Sequence, residues 1–277
     1  MTKFVEKLDA AMQKNRSLLC VGLDPVLDRL PSSFDRSCVD SISRFIKEII
    51  QATSDLVCAY KPNLAFFEAH GSQGLRVLDE ILESIPENIP VIGDGKRGDI
   101  GNSSARYAEA FFETMGFDAL TVNPYMGRDS LEPFLEYEDK AAFILCLTSN
   151  PGSADFQRHH GLYLEVARLA GEWNSRGNIG LVVGAQHSEE LERIRQIVGD
   201  MPILVPGVGA QGGDLEAVMA SGLGGEALRL IVNTSRKVLY ASSGADFAER
   251  AREAASRVVD QMRGLPGSDL SQGHVRV

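Results

Sequence analysis

Asp94-Gly95-Lys96-Arg97-Gly98-Asp99-Ile100, in the context VIGDGKRGDIGN, sets two acids and a lysine where an apolar run, PVIG, meets a glycine-broken turn. Side chains alternate faces along a strand, so Asp94 and Lys96 are expected to point the same way. Asp99 then falls past the strand, on the turn before a helix beginning near Asn102. An acid-base-acid array at the C-terminal end of a strand costs free energy to assemble. It suits chemistry that needs opposed charges held rigidly. A solvated strand-end ion pair has the same local look, and the rest of the chain must separate the two.

Short apolar runs alternate with longer amphipathic ones along the whole chain, the pattern of a parallel α/β sheet. The strand candidates span 18–23, 56–61, 89–94, 119–123, 141–148, 179–185, 202–207 and 228–233. Their hydrophobicity is continuous rather than alternating, which fits strands covered on both faces. Helical runs such as SCVDSISRFIKEIIQAT and DFAERAREAASRVVDQM fill the gaps. Eight such units in 277 residues predict an α/β fold, a (β/α)8 TIM barrel forming a single domain over 1–277. A doubly wound open sheet has the same periodicity, since periodicity alone cannot show closure. Residues 1–16 read as a polar amphipathic helix rather than a signal peptide, and 265–277 as a flexible Pro/Gly/Ser-rich tail. The longest loop candidate, 149–161, has a length more often functional than idle.

A barrel carries its functional groups at the C-terminal ends of its strands. Those ends here hold Asp24, then Lys61 and Asn63, then Asp94 and Lys96, Asn123, Thr148 and Ser149, and finally Asn233, Ser235 and Arg236. A barrel built only for stability needs no such ring. The seventh strand runs into Pro206 and the glycine-rich stretch 207–213 before a helix near Asp214. Backbone N–H groups of such a loop and a helix N-terminus favour an anion, and Arg236 can add a forked cation. Together they point to phosphate.

Other chemistries lack their parts. His70, His159, His160, His187 and His274 make no metal-binding spacing, and there is no G-x-S-x-G elbow. GVGAQG falls in the seventh unit, where a dinucleotide fingerprint would want it in the first. His159-His160 reads as a solvated pair and Trp173 as packing. Acid–base work falls to lysine and carboxylates. A formal charge of -10 argues against nucleic acid or an anionic membrane as partner. No apolar run approaches the roughly 20 residues of a membrane span. Four cysteines without C-x-x-C spacing, three of them in apolar strand-like runs, read as reduced thiols of a cytoplasmic protein.

These residues resemble the orotidine 5′-phosphate decarboxylase family, in its longer bacterial subgroup. The resemblance rests on D-x-K-x-x-D-I at 94–100, L-D-P at 23–25, K-P-N at 61–63, V-N-P-Y-M-G at 122–127 and P-G-V-G-A-Q-G-G at 206–213. It runs from about residue 17 to 250. It implies conversion of orotidine 5′-phosphate to UMP and CO2 in de novo pyrimidine biosynthesis, with no cofactor, no metal and a homodimer sharing its active sites. By the same resemblance Lys96 protonates C6, and Asp94 faces the departing carboxylate. Lys61 joins the charge array and reaches the ribose, whose hydroxyls Asp24 holds. Asp99 and Ser103 reach into the partner's site, Ser149 contacts the pyrimidine, and Pro206, Gln211 and Arg236 serve the phosphate. Ser103 stands where many relatives have threonine, which keeps the hydroxyl. Arg236 follows V-N-T-S rather than a shorter V-G, so its position departs most from the pattern.

Elementary electrostatics agrees with these roles. Loss of CO2 leaves charge on a ring carbon, and an ammonium about 4 Å away contributes roughly 4 kcal/mol at an effective dielectric near 20. That is about three powers of ten in rate, so binding energy from the phosphate must also drive closure and desolvation, with 206–213 as the lid. Two other readings share parts of the pattern. A magnesium-dependent sister enzyme has D-x-K-x-x-D but an acid where Lys61 stands, and a cation there repels a metal. A non-catalytic phosphate sensor would have no use for the charge array.

Overall fold

The apolar runs form eight short strands, and the amphipathic runs between them form the helices that cover those strands. The computed structural model describes residues 3–208, 214–224 and 229–267. The first half comprises α1 (Lys3–Asn15), β1 (Leu19–Leu23), α2 (Asp40–Thr53), β2 (Ala59–Pro62), α3 (Ala65–Glu68), α4 (Gly71–Leu82), β3 (Ile92–Arg97), α5 (Gly101–Glu109) and β4 (Ala119–Val122). The second comprises α6 (Arg128–Leu135), β5 (Ala141–Leu147), α7 (Leu162–Trp173), β6 (Ile179–Val183), α8 (Ser188–Val198), β7 (Ile203–Pro206), α9 (Leu215–Gly222), β8 (Leu230–Thr234), α10 (Arg236–Leu239) and α11 (Phe247–Arg263).

All strand pairs are parallel, in the order β2-β1-β8-β7-β6-β5-β4-β3. Parallel bridges between Tyr60 and Val91 and between Asn63 and Asp94 join β2 to β3 and bring the two ends of the sheet together. The fold is therefore the (β/α)8 barrel, in one domain, and the open-sheet alternative falls away. Every residue of β1, β4, β6 and β8 is buried, as the unbroken apolar runs require. The helices bury one stripe each. On α2, Ile42, Phe45, Ile46, Ile49 and Ile50 follow the helical repeat, each burial contributing about 1.5–3 kcal/mol before entropy is charged.

The N-terminal end of the barrel is plugged by α1. Phe4 meets Phe143 of β5 edge-on at 5.7 Å, Lys7 pairs with Asp118 at 2.7 Å, and Asp9 with Arg229 at 2.8 Å. The C-terminal ends of the strands are left for the site.

Each strand differs from the periodicity by a residue or more at one end or both, and the shifts at β2 and β3 are the largest. β2 begins at Ala59 rather than 56, because residues after α2 are still winding down: Ser54 N donates to Ile50 O and Leu56 N to Thr53 O. β3 begins at Ile92 and runs on to Arg97, past Asp94, with its register against β4 shifting between Gly93 and Arg97. The loop 149–161 holds two short 3-10 turns, Pro151–Ala154 and His159–Gly161. Leu265, placed in the flexible tail by composition, packs against the core, and 268–277 lie outside the described residues.

Candidate active site

Lys61 comes from the last turn of the pleat in β2, and Asp94 from the middle of β3. The Lys61 ammonium donates to Asp94 Oδ2 at 2.6 Å, with the two side chains 4% and 11% exposed. Lys96 donates to the other carboxylate oxygen, Oδ1, from a side chain 49% exposed. One carboxylate thus lies between two ammonium groups, one buried and one facing the opening. Burial alone would lower the Lys61 pKa, but the charges of Asp94 and Asp24 outweigh it and raise it. Burial alone would raise that of Asp94, but the ammonium groups of Lys61 and Lys96 hold it well below the usual carboxylate range.

The contact between Asp94 and Lys96 was expected from strand alternation, and the contact is there, but alternation is not its cause. Lys96 has φ +47, a left-handed backbone, and the strand is irregular at this point. The Lys96 N–H donates to Thr121 Oγ1 of β4 at 2.9 Å, and that hydroxyl donates to Asp94 Oδ1 at 3.1 Å.

Around this array is a cavity of about 240 Å³ at the mouth of the barrel. Asp24, Lys61, Asn63, Asp94, Lys96, Thr121, Ser149, Pro206, Asn233, Ser235 and Arg236 line it, and Leu145, Val182 and Leu204 add apolar surface. Asp24 Oδ1, Asn233 Oδ1 and Thr234 Oγ1 are buried there without a hydrogen-bond partner. Buried polar atoms are rarely left so, and two of these three can only accept while the carboxylate is ionised, which suits ligand hydroxyls. Gly22 makes the room. A Cβ there would lie 2.0 Å from Ser235 Oγ and 3.2 Å from Asn233 Oδ1. A wider cleft of about 470 Å³ lies between α9, β8 and α11, but the opposed charges converge on the barrel mouth and not there. Among the described residues no group of three or more His, Cys, Asp or Glu is arranged to hold a metal ion.

Residues 17–251 match the orotidine 5′-phosphate decarboxylase / HUMPS family. The chain belongs to this family. The orotidine 5′-phosphate decarboxylase of Herpetosiphon aurantiacus is 53% identical over 258 residues, covering 91% of this chain and 95% of that protein. Among solved structures, an OMP decarboxylase from Leishmania donovani superposes with a TM-score of 0.79 at 38% identity, covering 93% of this chain and 97% of that one. A UMP synthase from the same organism gives a TM-score of 0.81 at 40% identity. There the match covers 93% of this chain but 56% of the longer one.

Of the residues that the family resemblance pointed to, Asp24, Lys61, Asp94, Lys96, Ser149, Pro206 and Arg236 line the one cavity. Asp99 and Ser103 do not. Asp99 follows β3 and accepts from the Ile100 N–H at 2.8 Å, while Ser103 is exposed on α5. Gln211 lies outside the described residues. Asn123, a strand-end residue, caps the turn after β4 by accepting from Tyr125 N. His159 and His160 are both exposed, their rings 4.1 Å apart, and Trp173 packs half-buried on the core.

Sequence reasoning missed the residues that hold the site from behind. Thr121 is one, hidden because a threonine within an apolar strand has no distinguishing signal. Others clamp the turn carrying Ser149. Gln157 accepts from Thr148 N at 2.6 Å, Gln186 donates to Ser149 O, and the buried His187 meets Thr148 O at 3.1 Å. The length of the 149–161 loop was the available hint for Gln157.

Proposed function

We propose that this chain decarboxylates orotidine 5′-phosphate to UMP and CO2 in pyrimidine biosynthesis, without a cofactor and with Lys96 as the proton donor. The observation that carries this reading is Asp94, buried and ionised between the ammonium groups of Lys61 and Lys96. A substrate carboxylate brought beside Asp94 meets like charge. The C6–carboxylate bond breaks, the electron pair stays on C6, and CO2 leaves. Lys96 gives its proton to C6 and regains one from solvent. Repulsion from Asp94 acts on the ground state, and the Lys96 ammonium acts on the charge that develops, so both favour the transition state over the bound substrate.

The remaining residues take roles that their positions support. Asp24, with an unpartnered carboxylate oxygen, accepts from the ribose hydroxyls, the Lys61 ammonium donates to them, and Ser149 meets the pyrimidine. Arg236, at the start of α10 beside Pro206, binds the phosphate with Gln211. Asp99 and Ser103 serve the partner's site in a homodimer. Support comes from exposed apolar residues on the segments that follow β3, β4 and β5: Ile100 is 59% and Tyr125 79% exposed, with Phe156 packed 6.2 Å from Tyr125. Exposed apolar residues grouped in this way mark a docking surface. No helix among the described residues is long and apolar enough to cross a membrane, and the cysteines are free, in keeping with a cytoplasmic enzyme. Lys61 weighs against the magnesium-dependent reading of D-x-K-x-x-D, since a buried ammonium repels a cation.

Loss of orotidine 5′-phosphate absorbance, followed in EDTA, tests the reading. Turnover that EDTA does not diminish is expected. No turnover, or turnover abolished by the chelator, would overturn it.

A further inference from the structure

We infer that Thr121 is a positioning residue for Lys96, an inference that rests on the decarboxylase reading above. Its hydroxyl holds the Lys96 backbone in its left-handed conformation and ties it to Asp94. Three observations converge on this one oxygen. Lys96 is one of three described residues other than glycine with a positive φ, at +47, a conformation uncommon for a residue that carries a side chain. The register slip between Gly93 and Arg97 interrupts the ladder to β4, and the Lys96 N–H turns to Thr121 Oγ1 at 2.9 Å. The same hydroxyl spends its proton on Asp94 Oδ1, the oxygen that also receives the Lys96 ammonium.

Thr121 is 1% exposed, so water cannot readily replace either bond. Without the hydroxyl, the Lys96 amide loses its acceptor and, with it, the bond that favours the left-handed backbone. Relaxation of φ at Lys96 rotates its Cα–Cβ bond and carries the ammonium away from the point where C6 must receive its proton. The effect belongs to the chemical step. In the roles proposed above neither the phosphate nor the ribose touches Thr121 itself, so binding is expected to survive.

Thr121→Val keeps the shape and removes the oxygen, and Thr121→Ser restores the oxygen without the methyl. Relative to wild type, the Val protein is expected to lose at least about tenfold in kcat, the scale of one hydrogen bond to a charged group. KM and UMP affinity should stay within about twofold and the Ser protein should recover most of the rate. A Val protein with unchanged kcat, a loss confined to KM and UMP affinity, or a Ser protein as impaired as Val would each overturn the proposal. Thr121→Ala, read by the same criteria, replaces Val if Val does not fold. Inactivity of the wild type would instead sink the decarboxylase reading. A crystal structure of the Val or Ala variant decides the positioning in either event, because retention of positive φ at Lys96 with its ammonium on Asp94 would refute it.

Discussion

Taking away one member of a buried ion pair leaves the other without water or counter-ion, at a cost of about 3–5 kcal/mol. Lys61, 3% exposed, stands in that relation to Asp94. Asp94→Asn is therefore expected to lose about that much stability at pH 7 in urea unfolding, besides losing activity. The pH dependence has a definite sign. The Asp94 pKa is lowered in the fold, so its contribution is present above the unfolded carboxylate value, about 3.9, and is lost as pH falls through the folded value. Lys61 is raised, so its share holds below about 10.4 and is lost only as pH rises through its folded value. The gap between wild type and variant should thus be constant near neutrality and narrow below about pH 4. A gap unchanged down to pH 3 would mean that the carboxylate charge is not what holds Lys61. At this scale much was legible in the sequence: Asp24, Lys61, Asp94 and Lys96, singled out together at apolar strand ends, line one cavity. Thr121 was not, because its importance depends on which backbone atom the neighbouring strand presents to it. Asn233 was visible as a strand-end polar group, but its unpartnered oxygen appears only once Gly22 has made space opposite.

Eight units of strand and helix could be counted from hydrophobic continuity, and the barrel forms with those eight. Irregular backbone was what periodicity could not foresee. Alternation presumes an even pleat, and β3 breaks it at Lys96, so the expected neighbours meet through a left-handed residue instead. Capping was likewise hidden at Asn123, whose amide oxygen serves the following turn. The loops after β7 and β8 were read as a phosphate site from composition; residues 209–213 lie outside the described residues, and Arg236 opens α10 at the cavity edge. Its side chain has no partner among the described residues, which leaves the guanidinium available. Arg236→Ala should raise KM for orotidine 5′-phosphate and lower kcat/KM by about 10–100-fold, the worth of hydrogen bonds to a charged group. Turnover of the nucleoside without its phosphate should not change. An equal loss with the truncated substrate would place Arg236 in some role other than phosphate binding.

Within one chain the cavity gathers only some of the residues proposed for the site. Asp24, Lys61, Asp94 and Lys96 gather in the barrel mouth, while Asp99, five residues past Asp94, is not among the residues lining it. A short side chain on the turn into α5 points off the rim more easily than back over its own strand. The exposed Ile100, next to it in the chain, and Tyr125 and Phe156, packed on one another, offer apolar surface for a second copy. In the homodimer proposed above, two-fold symmetry would make each site depend on Lys96 of one chain and Asp99 of the other. Asp99→Ala and Lys96→Ala proteins should each be inactive while remaining folded. Mixed, they should complement. A mixed dimer holds one site with both residues and one with neither, and random exchange makes about half of all dimers mixed. Activity should therefore recover to roughly a quarter of wild type per site. Subunit exchange is read independently by mass spectrometry. Mixtures that exchange and stay inactive would assign Asp99 to the site of its own chain, and the exposed apolar rim would then need another explanation.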